Sequence, residues 1–213
     1  MLSLYGHPFS SYTWKALIPL YAIGRDFEFR EVGPDEPDNS DFVQRAHPAG
    51  KFPLLRDGET TVIEATSIVE YLALRHPKAG IIPPDPAQAA TARMLDRVFD
   101  NYVMANMQRV VNAHIADNEN PYPAETEAGR QGLLRAYRWL EDWRTNHSLP
   151  PHISLITCAA APSLFYADWV EPIPGDAPRL AALRAEILAL SAVSRCVEDA
   201  RPFRGWFPPG APD

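Results

Sequence analysis

The sequence predicts an α/β domain followed by an all-α domain, on three observations. The chain opens with a short apolar run, a segment with helical spacing and a second, alternating run, in the order strand, helix, strand. A break from His76 to Pro86 with four prolines and a glycine then interrupts the pattern. Beyond it, every apolar segment repeats at helical spacing. The expected layout is a first domain over residues 1–78, a linker over 79–86 and a helical domain over 87–213.

Leu2 to Tyr5 is the first strand, ended by Gly6 and Pro8. From Ser11 to Ile23, Trp14, Leu17, Ile18 and Tyr21 recur at helical spacing, and Gly24 closes the helix. Pro19 lies inside it and is expected to kink or shorten it. Phe27, Phe29 and Val32 mark a second strand, which makes a parallel βαβ unit with the first. A short helix is expected from Ser40 to Ala46, then a hairpin in which Pro53–Leu55 and Thr61–Ile63 flank Asp57-Gly58. Thr66 to Leu74 completes the order β-α-β-α-β-β-α.

In the second domain, Ala87 to Ala116 reads as one long helix with Met94, Val98, Tyr102 and Ala105 along a stripe. Thr126–Arg144, Ser154–Trp169 with Pro162 inside it, Pro178–Leu190 and Ser191–Ala200 follow as helices. An aromatic, proline-rich tail ends the sequence, and no internal repeat is found.

With 213 residues and 46% hydrophobic content, the chain can bury one sizeable core or two small ones. Its formal net charge of −7 gives no footprint for nucleic acid or an anionic membrane. Cys158 and Cys196 follow no metal-ligand spacing, so no metal is expected and a reducing, cytoplasmic setting fits. No signal peptide and no membrane-spanning run is read, and a soluble protein is expected.

The segments "PFSSYTWKALI", "HPAGKFPLL" with "IEATSIVEYL", and "CAAAPSLFYADW" stand in order along nearly the whole length. Together they resemble the cytosolic glutathione S-transferases, nearest to bacterial serine-type members like the theta and zeta classes. The resemblance implies a thioredoxin-like first domain, glutathione as co-substrate, a role in detoxification and a homodimer. It also implies a site. In "GKFP", a cis bond at Phe52-Pro53 would turn the Phe52 backbone towards solvent, where glutathione pairs with it like an added strand. Glu64 would meet the ligand's ammonium, and the amides of Ala65 and Thr66 at a helix start would receive its γ-glutamyl carboxylate. Lys51 is the candidate for the glycyl carboxylate, with His47 as helper. Ala65 departs from the family, which has a serine there. Losing that hydroxyl costs about 1.5–3 kcal/mol unless Thr66 or water replaces it.

The chemistry such a site needs is a lowered thiol pKa, which helix-start donors supply. Ser11 stands four residues before Lys15, as in theta-like members, and Ser10 matches the first serine of the zeta-like motif. Ser11 is the favoured thiolate donor and Ser10 its rival. The plainer alternative for either serine is a helix cap, typically worth ~1 kcal/mol. Tyr12 stands where zeta-like members carry cysteine, and Tyr5 reads as a core or wall residue. Phe9, Tyr12, Tyr102 and Asn106, with Trp206 from the tail, are candidates for the electrophile's walls. Asp100 is a candidate for a neighbour's glutathione amine, with a salt-bridged acid preferred. The family's capping box is altered too, since Ser154 is the N-cap and Thr157 replaces the usual aspartate. The resemblance leaves three functions: a transferase acting on small hydrophobic electrophiles or peroxides, a zeta-like cis-trans isomerase, and a non-catalytic glutathione-binding module.

Overall fold

The computed structural model describes residues 1–212. Strand β1 (Leu2–Gly6) pairs in parallel with β2 (Glu28–Glu31) and antiparallel with β3 (Leu54–Asp57), which pairs antiparallel with β4 (Thr60–Ile63). The sheet order is β2-β1-β3-β4. Alternation along β1 sends Leu2 and Leu4 to one face and Tyr5 to the other. The leucines pack under α1 (Ser11–Ile23) and α3 (Ala65–Arg75). Tyr5 packs with Val43 and Phe42 of α2 (Pro37–Ala46), its ring 4.6 Å from that of Phe42. Both faces of the central strand are therefore dry.

Pro19 does not shorten α1, which runs to a left-handed cap at Gly24 (φ 69°). Helix α2 starts three residues before the expected Ser40, because Pro37 fills the first turn, where its missing N–H is no loss. Asp57 pairs with Thr60, so the hairpin loop is Gly58-Glu59, one residue beyond the expected Asp57-Gly58. The Phe52-Pro53 peptide is cis.

The second domain comprises α4 (Pro86–Val98), α5 (Ala105–Ala116), α6 (Pro123–Arg144), α7 (Leu155–Val170), α8 (Pro178–Leu188) and α9 (Ser191–Ala200). A 3-10 stretch, Arg201–Trp206, leads into the tail. The expected long helix is continuous in path, but Phe99–Met104 between α4 and α5 is a π-helical turn. Its buried face is Leu95, Phe99, Val103, Met104 and Met107. The expected stripe lies outside: Met94 is 43% and Tyr102 58% exposed. Apolar residues fall on two faces of this helix, and a π turn shifts the phase of the helix beyond it.

Helix α1 packs against α3 on one side and α7 and α9 on the other. One apolar cluster thus joins the domains, with Leu17 and Ile18 in contact with the core that holds Phe165 and Cys196. Ser154 caps α7 by accepting from the Thr157 amide at 3.3 Å. The Thr157 hydroxyl does not reach the Ser154 amide; it meets the Ser154 hydroxyl at 3.1 Å and donates to the His152 carbonyl at 3.2 Å. It closes the preceding loop instead of completing a reciprocal box. No helix among the described residues is long and apolar enough to cross a membrane.

Candidate functional site

The end of β1 comes very close to the start of α1. A Cβ on Gly6 would lie 2.6 Å from the Thr13 side chain, so only glycine permits the approach. Three hydrogen bonds then pin the loop between them. The His7 amide donates to Thr13 Oγ1 (3.3 Å), Trp14 Nε1 to the Pro8 carbonyl (2.6 Å) and the Tyr166 hydroxyl of α7 to the Phe9 carbonyl (2.8 Å). The last one ties the helical domain to the loop just ahead of α1. Trp14 and Tyr166 are both buried, so these bonds are shielded from water.

Ser10 is the N-cap of α1, its Oγ accepting from the Thr13 amide at 3.3 Å. Ser11 occupies the first helical position and is buried, with no side-chain partner among the described residues. The amides of Ser11 and Tyr12 likewise have no acceptor there, as expected for the first N–H groups of a helix. Ser10, Ser11 and Tyr12 line an apolar cavity of 320 Å³, with Phe9, Met107, Val111, Tyr166, Trp206 and Phe207 among its walls. Trp206 stacks on His7 at 5.4 Å, which holds the tail over the cavity.

Tyr12 and Phe52 also line a second, polar cavity of 300 Å³, together with His47, Lys51, Pro53, Glu64, Ala65, Arg97 and Asp100. All the residues expected to hold glutathione except Thr66 surround it. Glu64 is the one non-glycine residue with a positive φ among the described residues, at 69°, and its side chain is 71% exposed. Such backbone costs about 1–3 kcal/mol and tends to be kept at ligand sites. Its carboxylate lies 3.6 Å from His47 Nε2, while His47 Nδ1 accepts from the Ala49 amide at 3.0 Å. Neither the amide nor the carbonyl of Phe52 has a backbone partner among the described residues. Burial, reinforced by Asp100, raises the Tyr12 hydroxyl to about 12, so it stays protonated and can only donate or accept as a neutral group.

A charge cluster lies beneath the polar cavity. Lys15 Nζ is 2.6 Å from Asp96 and 2.7 Å from Asp100, and Lys15 and Asp96 are each 1% exposed. Arg97 bonds both acids, and the Thr66 hydroxyl contacts Asp96 Oδ2 at 3.1 Å. Burial pushes the Asp100 carboxyl up, against the pull of Lys15. The basic residue four after Ser11 is thus held in an interdomain ion pair and lines neither cavity. Tyr102 and Asn106 are not brought to the site. They line a separate groove with Met94, Val98 and Trp139, and Asn106 Nδ2 donates to the Tyr102 carbonyl. Their places on the apolar wall are taken by Met107, Gln108, Val111 and Ile115. Sequence reasoning missed those four, as well as Tyr166, Phe207 and Arg97. One signal for Arg97 was present: "DRVFD" puts three charges on a helix that is otherwise largely apolar.

The family model "Glutathione S-transferase, N-terminal domain" matches residues 4–80. Maleylacetoacetate isomerase of Rattus norvegicus is 23% identical over 195 residues, spanning 89% of this chain and 88% of its own. Glutathione transferase F7 from Populus trichocarpa superposes with a TM-score of 0.81 at 19% identity, over 94% of this chain and 99% of the other. Maleylacetoacetate isomerase from Anaeromyxobacter dehalogenans 2CP-1, solved with glutathione in its active site, superposes with a TM-score of 0.72 at 24% identity, over 95% of this chain and 97% of the other. Residues 4–80 thus match the glutathione S-transferase N-terminal domain, and the chain as a whole takes the fold of the solved glutathione transferases.

Proposed function

We propose that the protein is a glutathione transferase acting on small, uncharged hydrophobic electrophiles. In this reading glutathione lies in the polar cavity, with its cysteinyl backbone on Phe52, its γ-glutamyl end at Glu64 and the start of α3, and its glycyl carboxylate at Lys51. Its sulfur reaches the first turn of α1. There the Ser11 hydroxyl and the unpaired amides of Ser11 and Tyr12 stabilise the thiolate, and each unit of pKa lowered is worth 1.36 kcal/mol. Serine need not remove the proton; it needs only to donate to the sulfur. The supporting observation is the shared wall: Tyr12 and Phe52 line both the polar and the apolar cavity, and Ser10 and Ser11 line the apolar one beside Tyr12.

The apolar cavity decides between substrates. Among its lining residues there is no lysine, arginine or histidine. A carboxylate buried there would have no cation, which is costly. This favours conjugation of neutral electrophiles, or reduction of neutral hydroperoxides, over isomerisation of a maleyl-type dicarboxylate. The isomerase reading rests on the relatives that carry that name. A third reading, a glutathione-binding module without catalysis, rests on Ala65. Turnover assays separate the three. The transferase reading expects conjugation of neutral aryl or alkyl electrophiles, and a protein active only on a maleyl-type cis double bond, or on nothing, contradicts it. The setting we propose is the reducing cytoplasm, where glutathione is reduced and the buried thiols of Cys158 and Cys196 stay free. We also propose a homodimer that covers the groove of Met94, Val98, Tyr102 and Trp139, an exposed apolar strip on α4, α6 and the π turn between α4 and α5.

A further inference from the structure

We propose that Arg97 is the anchor for the γ-glutamyl carboxylate of glutathione, supplied by the helical domain of the same subunit in place of the hydroxyl that Ala65 lacks. The proposal rests on the reading of the polar cavity as the glutathione site. It begins from the donors that the start of α3 can offer. Ala65 has no donor beyond its amide. Thr66 carries a hydroxyl, but its single proton is directed to Asp96, with Oγ1 to Oδ2 at 3.1 Å. Its oxygen also receives Arg97 Nη2. Thr66 is therefore spent inside the protein and cannot take the missing serine's place.

Arg97 is differently placed. It lines the polar cavity beside Glu64 and Ala65, and its side chain is half exposed. Its Nε bonds Asp96 at 3.0 Å and its Nη2 bonds Asp100 at 2.8 Å, whereas Nη1 has no partner among the described residues. The guanidinium is thus held rigid on one edge, with donors left on the other. Lys15 shares Asp96 and Asp100, so these two acids do not belong to Arg97 alone and the four-group cluster is neutral. A carboxylate that adds to such a cluster meets a pre-positioned Nη1 and loses little side-chain entropy. Across the cavity the exposed Glu64 carboxylate suits the ligand's ammonium. The two charges together match an amino-acid zwitterion. The cavity's other cation, Lys51, is left for the glycyl end.

The test is titration calorimetry with two ligands, glutathione and the analogue γ-aminobutyryl-cysteinylglycine, which lacks only the γ-glutamyl α-carboxylate. Wild type is expected to prefer glutathione by about tenfold or more. Arg97→Met should erase that preference by weakening glutathione while leaving the analogue unchanged. Arg97→Lys, which keeps the charge and the acid contacts, should retain part of it and decides the matter if Arg97→Met does not fold. Equal weakening of both ligands, or no change in either, overturns the proposal and leaves Arg97 a structural residue. A wild-type protein that binds neither ligand contradicts the glutathione reading itself, and the anchor falls with it.

Discussion

Ser10 and Ser11 are adjacent but differently engaged, and the difference is testable. Ser10 accepts from the Thr13 amide, so Ser10→Ala should cost ~1 kcal/mol of stability in urea unfolding and leave the thiol pKa of bound glutathione nearly unchanged. A large pKa change without a stability change would exchange the two roles. Glu64 makes a second prediction at this scale. Its φ of 69° suits glycine, so Glu64→Gly should relieve about 1–3 kcal/mol of strain, partly offset by about 0.5–1 kcal/mol of added unfolded-chain entropy. Unfolding free energy should rise by ~1 kcal/mol while glutathione binding weakens. A loss of stability would show that the backbone there is not strained. That Ser11, Lys51 and Glu64 lie on cavity walls was legible because short segments at recognisable spacing carry them, while their roles belong to the proposal. Tyr102 and Asn106 were misplaced because helical periodicity cannot tell which of two apolar faces is buried, and the residues beyond a π turn change phase.

At the scale of elements, two polar devices join helices to one another. Lys15 of α1 sits between Asp96 of α4 and Asp100 of the π turn, and Lys15 and Asp96 are almost fully buried. Lys15→Met leaves two acids with one cation, Arg97, and should lower stability by about 3–5 kcal/mol in denaturant. A change below about 1 kcal/mol would show that water or a shifted Arg97 compensates. The second device is Glu141 of α6, which accepts from the Leu180 amide at 2.8 Å and from Arg179 at 2.9 Å, and so caps α8. Burial alone would raise its pKa, but the Leu180 amide and Arg179 outweigh it and hold the carboxyl below its usual range. A depressed carboxylate stabilises the fold above its unfolded-state pKa, and that contribution is lost as pH falls through the folded-state value. Wild type should therefore lose stability in acid more steeply than Glu141→Gln, as read by thermal unfolding across pH. Parallel curves would show that Glu141 has no part in the acid response. Neither device was legible in the sequence. Charge partners 38 or 85 residues apart are set by the fold.

At the scale of the molecule, the order of elements was legible almost throughout. Punctuation by Gly24, by the Gly58 turn and by the proline-rich break is local chemistry, and so is the helical spacing on either side. The meeting of the two domains is not carried by the spacing of a single chain. Tyr166 reaches back to Phe9, and Phe207 and Trp206 close the apolar cavity from the far end of the chain. That meeting makes one polar and one apolar chamber share Tyr12 and Phe52, and we propose that the glutathione thiolate forms between them. The most direct measurement is the pKa of the glutathione thiol bound to wild type and to Ser11→Ala, followed by thiolate ultraviolet absorbance. A thiolate held by Ser11 requires a bound thiol at least about one unit below that of free glutathione in wild type, and a return of most of that shift in Ser11→Ala. An unshifted thiol in wild type, or an equal shift in both proteins, would contradict it.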